Sequence, residues 1–78
     1  MKHTPKQIGL LVKDARKIMG VTQKELALTS GTGLRFIIDL EKGKPTCQLG
    51  KVLTVLQTVG IGINLALPRP KKELGKKD

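Results

Sequence analysis

Arg35 and Asp39 stand four residues apart in the run Gly33-Leu34-Arg35-Phe36-Ile37-Ile38-Asp39, a spacing that puts both side chains on one face of a helix. A guanidinium steadied by that carboxylate is a fork able to bond guanine N7 and O6 together. Without such a role the two form an ordinary exposed ion pair worth a few tenths of a kcal/mol. Leu34 and Ile38 fall on the same outward arc, where they would touch thymine methyl groups or else belong to a protein interface. Gln23 offers backbone donors and a side-chain amide to a phosphate at the start of a predicted helix. Thr22, Lys24, Thr32, Lys42 and Lys44 lie close enough in sequence to add phosphate contacts, which would position a duplex without reading it. Taken singly, each lysine is solvated charge.

Catalysis has little to work with. His3 is the only histidine, near the chain end with no cysteine or carboxylate cluster beside it, so no metal site is expected. Cys47 lacks a base and reads as a small packing residue. Gly43-Lys44-Pro45-Thr46 has the look of a phosphate loop, yet the upstream glycine is missing and a proline interrupts the lysine–threonine step. The expectation is no enzyme, no cofactor and no small-molecule substrate.

Four predicted helices would carry these residues. Thr4-Pro5 starts the first, with Ile8, Leu11, Val12, Ala15, Ile18 and Met19 at helical spacing up to Gly20. Its outer face carries Lys6, Lys13, Asp14 and Lys17, which leaves Arg16, beside the apolar stripe, to pair internally. Thr22 and Glu25 make a capping box that opens the second helix at Gln23 and runs it to residue 29. Residues 30–33 form a turn, and the third helix runs over Leu34–Lys42 to Gly43 and Pro45. Thr46 is expected to cap a fourth helix in which Leu49, Val52, Leu53, Leu56 and Val59 recur on one face before Gly60.

The middle of this series has the register of a helix-turn-helix. Ala27 is small where two helix backbones would touch, Gly31 tolerates the positive φ of the turn, and Ile37 and Leu40 make an apolar inner side. The outer side is then free to enter a major groove. Phe36 reads first as core or inter-helix packing and only distantly as a base-stacking wedge.

Ile61, Ile63, Leu65 and Leu67 alternate with Gly62, Asn64 and Ala66, the chain's one strand pattern. A lone strand leaves its backbone groups unpaired, and the economical partner is the same strand of a second copy, antiparallel across a two-fold axis. The alternative is an extended coil packed on its own helices. Residues 1–60 are thus expected to form a helix-turn-helix domain, 61–67 a dimerising strand and 68–78 a basic disordered tail.

Charge and size agree with this plan. A chain of 78 residues has room for one domain that buries only about 60% of its unfolded surface, a size that favours a partner subunit. The net charge is +9, of which residues 1–67 supply +6 (ten Lys/Arg against four Asp/Glu) and the tail from Pro68 supplies +3 (five against two). Such a field favours nucleic acid or an acidic protein surface. With Phe36 the sole aromatic, double-stranded DNA fits better than base-stacking readers of single strands. A single cysteine predicts a reducing cytosol. The sequence holds neither a membrane-spanning run nor a signal-peptide core, so a cytoplasmic protein is expected.

Residues 8–67 resemble the XRE-type helix-turn-helix proteins, which include phage repressors, and most closely the HipB-like antitoxins encoded beside HipA-like kinase toxins. The likeness rests on Thr22-Gln23-Lys24-Glu25-Leu26-Ala27, on Gly33-Leu34-Arg35-Phe36-Ile37-Ile38-Asp39-Leu40-Glu41-Lys42-Gly43-Lys44-Pro45-Thr46, and on Leu49-Gly50-Lys51-Val52-Leu53 leading through Val59-Gly60 into the strand. The first segment is general to the superfamily; the Arg-Phe-Ile and Glu-Lys-Gly-Lys-Pro-Thr combination with a closing strand is narrower. The resemblance implies an all-α, lambda-repressor-like fold of four to five helices with a C-terminal β-strand paired across a homodimer. It implies binding to an inverted-repeat operator, autorepression of a toxin–antitoxin operon and neutralisation of a HipA-like toxin by complex formation. Gly33, Leu34, Arg35 and Ile38 match the positions that face bases in the family, and Gln23 the one on phosphate; Leu34 and Ile38 depart from the polar residues common there. A stand-alone repressor without a toxin, and an adaptor that binds protein through its apolar third helix and basic tail, are the rival readings.

Overall fold

Two reciprocal caps set the start of the first two helices. The Thr4 hydroxyl accepts from the Gln7 backbone N–H at 3.1 Å while the Gln7 side chain accepts from the Thr4 N–H at 3.1 Å; Thr22 and Glu25 do the same at 3.0 and 2.8 Å. Each pair satisfies two backbone donors that a helix start otherwise leaves open. The structure, a computed structural model, describes residues 3–68. Within them lie α1 (Pro5–Met19), α2 (Gln23–Ser30), α3 (Leu34–Lys42) and α4 (Leu49–Thr58). The break between α2 and α3 is made by Gly31, whose φ of 70° lies in the left-handed region that a side chain disfavours.

The first three helices fall where the sequence predicts them, with α2 reaching Ser30. The fourth begins later than expected. Its N-cap is Gln48, without a side-chain cap bond, and not Thr46. Pro45 and Thr46 are used in a turn, and Cys47 packs against the core before the helix can start.

Val12, Leu26, Ala27, Ile37, Leu40, Val55, Leu56 and Val59 form the core, with Ile8, Ala15, Val21, Phe36, Cys47, Val52 and Ile61 packed around it. Two predicted stripes are rotated relative to the observed ones. In α1, Val12 is fully buried whereas Leu11 and Ile18, about 100° and 120° round the helix from it, are exposed, as is Met19 at the helix end. In α4 the buried residues are Val55 and Leu56, continued by the C-cap Val59, with Leu49 and Leu53 exposed.

Gly9 brings α1 onto α3. A Cβ there would run into the Leu40 carbonyl oxygen and lie 2.8 Å from that of Glu41, so only a residue without one permits this crossing.

Beyond α4, residues 61–68 carry no helix or strand. The Ile61 N–H bonds to the Leu56 carbonyl at 2.9 Å, and its side chain is half-buried. Ile63, Leu65 and Leu67 are exposed. The strand expected over 61–67 is therefore not formed by the single chain, since no other described segment offers it a ladder. The basic tail lies outside the described residues from residue 69 onward. Among the described residues no helix is long and apolar enough to cross a membrane.

Candidate nucleic-acid interface

A buried ion pair between α1 and α3, extended by a hydrogen bond to α2, ties the first three helices together. Arg16 on α1 donates from Nε to Glu41 Oε2 at 2.6 Å and from Nη2 to Glu41 Oε1 at 3.1 Å, and from Nη1 to the Val21 carbonyl at 2.9 Å. The two side chains are only 11% and 4% exposed. Gln23, the first residue of α2, donates from Nε2 to Glu41 Oε1 at 3.0 Å. One carboxylate on α3 thus gathers donors from α1 and α2, and among the described residues no buried side-chain polar atom lacks a partner. The hydrogen bond with Glu41 raises the pKa of the Arg16 guanidinium above its ordinary value, against the opposing effect of burial and with further help from the Glu41 charge. Arg16 is the internally paired residue the sequence led us to expect. Its partner went unassigned, although Ile37, Leu40 and Glu41 share one helical arc and so marked Glu41 as an inward charge.

Helix α3 has two distinct faces. Ile37, Leu40 and Glu41 turn inward and are buried. Leu34 is 42% exposed and the Arg35 side chain 78% exposed, Gly33 is open, and Ile38 is half-buried beside them. Gly33 caps the helix without a side-chain bond. Asp39 is the hinge of this surface: Oδ1 lies 3.4 Å from Arg35 Nε and Oδ2 lies 3.5 Å from Lys44 Nζ, while its carbonyl accepts from the Lys44 N–H at 3.0 Å. The Arg35 contact runs through Nε, on a side chain that is otherwise largely exposed. Phe36 packs on the core, as its first reading had it, with Lys51 Nζ 5.8 Å from the ring centre.

The residues singled out for phosphate differ in how free they are. Thr22, Lys24 and Lys42 are exposed. Gln23 is half-buried with its amide already bonded to Glu41, and the Thr32 hydroxyl lies 2.9 Å from that of Ser30. Lys44 is half-exposed beside Asp39. Ile61, Gly62 and Ile63 line an open groove of about 340 Å³ together with Leu53, Leu56 and Gln57 of α4.

Two short helices joined at a left-handed glycine, the second packed by one arc and open on the other, define a helix-turn-helix protein. The comparisons with known proteins narrow this. The chain is 53% identical over 70 residues to the uncharacterized HTH-type transcriptional regulator y4mF of Sinorhizobium fredii, covering 90% of this chain and 92% of the relative. It is also similar to a chain of the solved HipB-O4 20mer complex, with a TM-score of 0.74 and 25% identity over 88% of this chain and 97% of that one. No family model matches it. The chain belongs to the XRE/HipB-like family of helix-turn-helix transcriptional regulators.

Proposed function

We propose that this protein is a homodimeric, sequence-specific double-stranded DNA-binding repressor of its own toxin–antitoxin operon, and an antitoxin that neutralises a HipA-like kinase toxin by complex formation. The observation that carries the reading is the two-faced α3, with Ile37, Leu40 and Glu41 inward and Leu34 and Arg35 in the open, in a chain similar to HipB of the O4 20mer complex. In this mechanism Arg35, held at Nε by Asp39, turns its two terminal nitrogens to guanine N7 and O6. Leu34 and Ile38 make apolar contacts to thymine methyl groups, and Gly33 lets the duplex approach the backbone. Thr22, Lys24, Thr32, Lys42 and Lys44, with the remaining Gln23 N–H, hold phosphates on either side.

Residues 1–60 act as the DNA-binding domain in this reading, and residues 61–67 pair with the same segment of a second copy. Pairing would cover Ile63, Leu65 and Leu67, which are exposed in the single chain, and would set two α3 helices about 34 Å apart, one turn of B-DNA. Such a protein works in the cytoplasm.

The test is a gel shift and footprint on the DNA upstream of its own coding sequence, together with co-purification of the neighbouring gene's product. The expected result is a protected inverted repeat and a kinase-like partner. Weak, salt-labile and sequence-blind retardation would instead favour a protein-binding adaptor. A footprint with no co-purifying protein would favour a stand-alone repressor.

A further inference from the structure

We infer that Glu41 is a positioning residue of the DNA interface: it orients the Gln23 amide before any duplex arrives. The inference rests on the DNA-binding reading above. A carboxylate accepts hydrogen bonds and cannot donate them, so Gln23 can meet Glu41 only through its NH2 group. That fixes which way round the amide stands, a choice otherwise open for a glutamine side chain. Gln23 Nε2 spends one hydrogen on Glu41 Oε1 at 3.0 Å. The second hydrogen is left to donate elsewhere, at the first residue of α2, where backbone N–H groups already favour an anion.

Glu41 does not move to meet Gln23. It is 4% exposed at its side chain and bound at both oxygens by Arg16, at 2.6 and 3.1 Å. The Gln23 side chain is therefore ordered against an immobile acceptor in the free protein, and its rotamer freedom is not lost again on binding. This gives the Arg16–Glu41 pair a role beyond holding helices together, since it sets the aim of a surface donor.

The experiment is a cycle in the full-length chain, read by titration of a short mixed-sequence duplex and of the duplex upstream of its coding sequence. Gln23→Ala is made in the native background and in Arg16→Met/Glu41→Leu, where the ion pair is replaced by apolar side chains of similar length, an exchange that buried pairs often tolerate. The expected result is a loss of about tenfold for Gln23→Ala in the native background, the size of a hydrogen bond to a charged group, and under about twofold in the apolar one. The salt slope should not change, because Gln23 carries no charge and releases no counterion. An equal loss in both backgrounds overturns the inference. Should the apolar variant not fold, the Gln23 side-chain amide signal of the free native protein decides. A rigid, protected amide supports the role, and a freely averaging one removes it. A native chain that retards neither duplex overturns the DNA reading itself, while the amide signal still reports on the Glu41–Gln23 bond.

Discussion

Arg35 and Arg16 are the same residue type with opposite duties, and their surroundings decide which. Arg35 reaches into solvent with its side chain 78% exposed, so Arg35→Ala should leave the fold intact and weaken operator binding by about 1–3 kcal/mol. Titration of the operator duplex alongside a melting curve checks both halves. Arg16 is closed in with Glu41, and Arg16→Met alone leaves a buried carboxylate without its cation. That variant should lose about 3–5 kcal/mol of stability in urea unfolding, and returning Glu41→Leu in the same chain should recover much of it. The raised pKa of Arg16 fixes the pH window. The stabilisation is fully present below the ordinary guanidinium value and is lost only as the pH rises through the higher folded one. No weakening through Arg16 titration is therefore expected between pH 5 and 9, and urea midpoints across that range measure it. The sequence showed Arg16 as a charge beside an apolar stripe, which is why its pairing was legible. The Gln23–Glu41 bond was not, because a local pattern carries no information on which residues two crossing helices bring together.

At the level of helices, the caps of α1 and α2 were readable, whereas the cap of α4 and the phases of α1 and α4 were not. The Thr22/Glu25 box is a pattern within four residues, and Thr22→Ala should cost about 1 kcal/mol, seen as a lowered melting temperature. Helix α4 and its C-cap carry Leu49, Val52, Leu53, Val55, Leu56 and Val59 on a broad apolar arc of about 160°, wide enough for either edge or the middle to face the core. Several arcs could have been the inner one, and contact with α2 picks the arc of Val55, Leu56 and Val59. Gly9 gave no signal at all, since its meaning lies in the carbonyls of Leu40 and Glu41 across the helix crossing. Gly9→Ala should destabilise the chain by about 1–3 kcal/mol despite the better helix propensity of alanine. Thermal unfolding of that variant tests the crossing directly.

For the molecule as a whole, charge and self-association yield the measurable quantities. If each half of a dimer meets three to four phosphates, the log–log dependence of operator affinity on salt should have a slope of roughly −5 to −7. Removing residues 61–67 should halve the mass in solution if that segment joins the copies, and a truncated chain that stays dimeric would place the contact elsewhere. In the sequence such pairing is an expectation that rests on a period-two pattern alone, because a ladder between copies leaves no trace in one chain.

The side chains of α3 that bear the fold and those that stand open interleave along nine residues without sharing a position. Ile37, Leu40 and Glu41 answer to the core, whereas Leu34 is 42% exposed and Arg35 reaches out beside Asp39. A duplicated gene could accordingly drift to a new target by exchanging a few outward residues, with stability left almost untouched along the way. Lineages built on this scaffold should then diverge fastest on one stripe of a single helix.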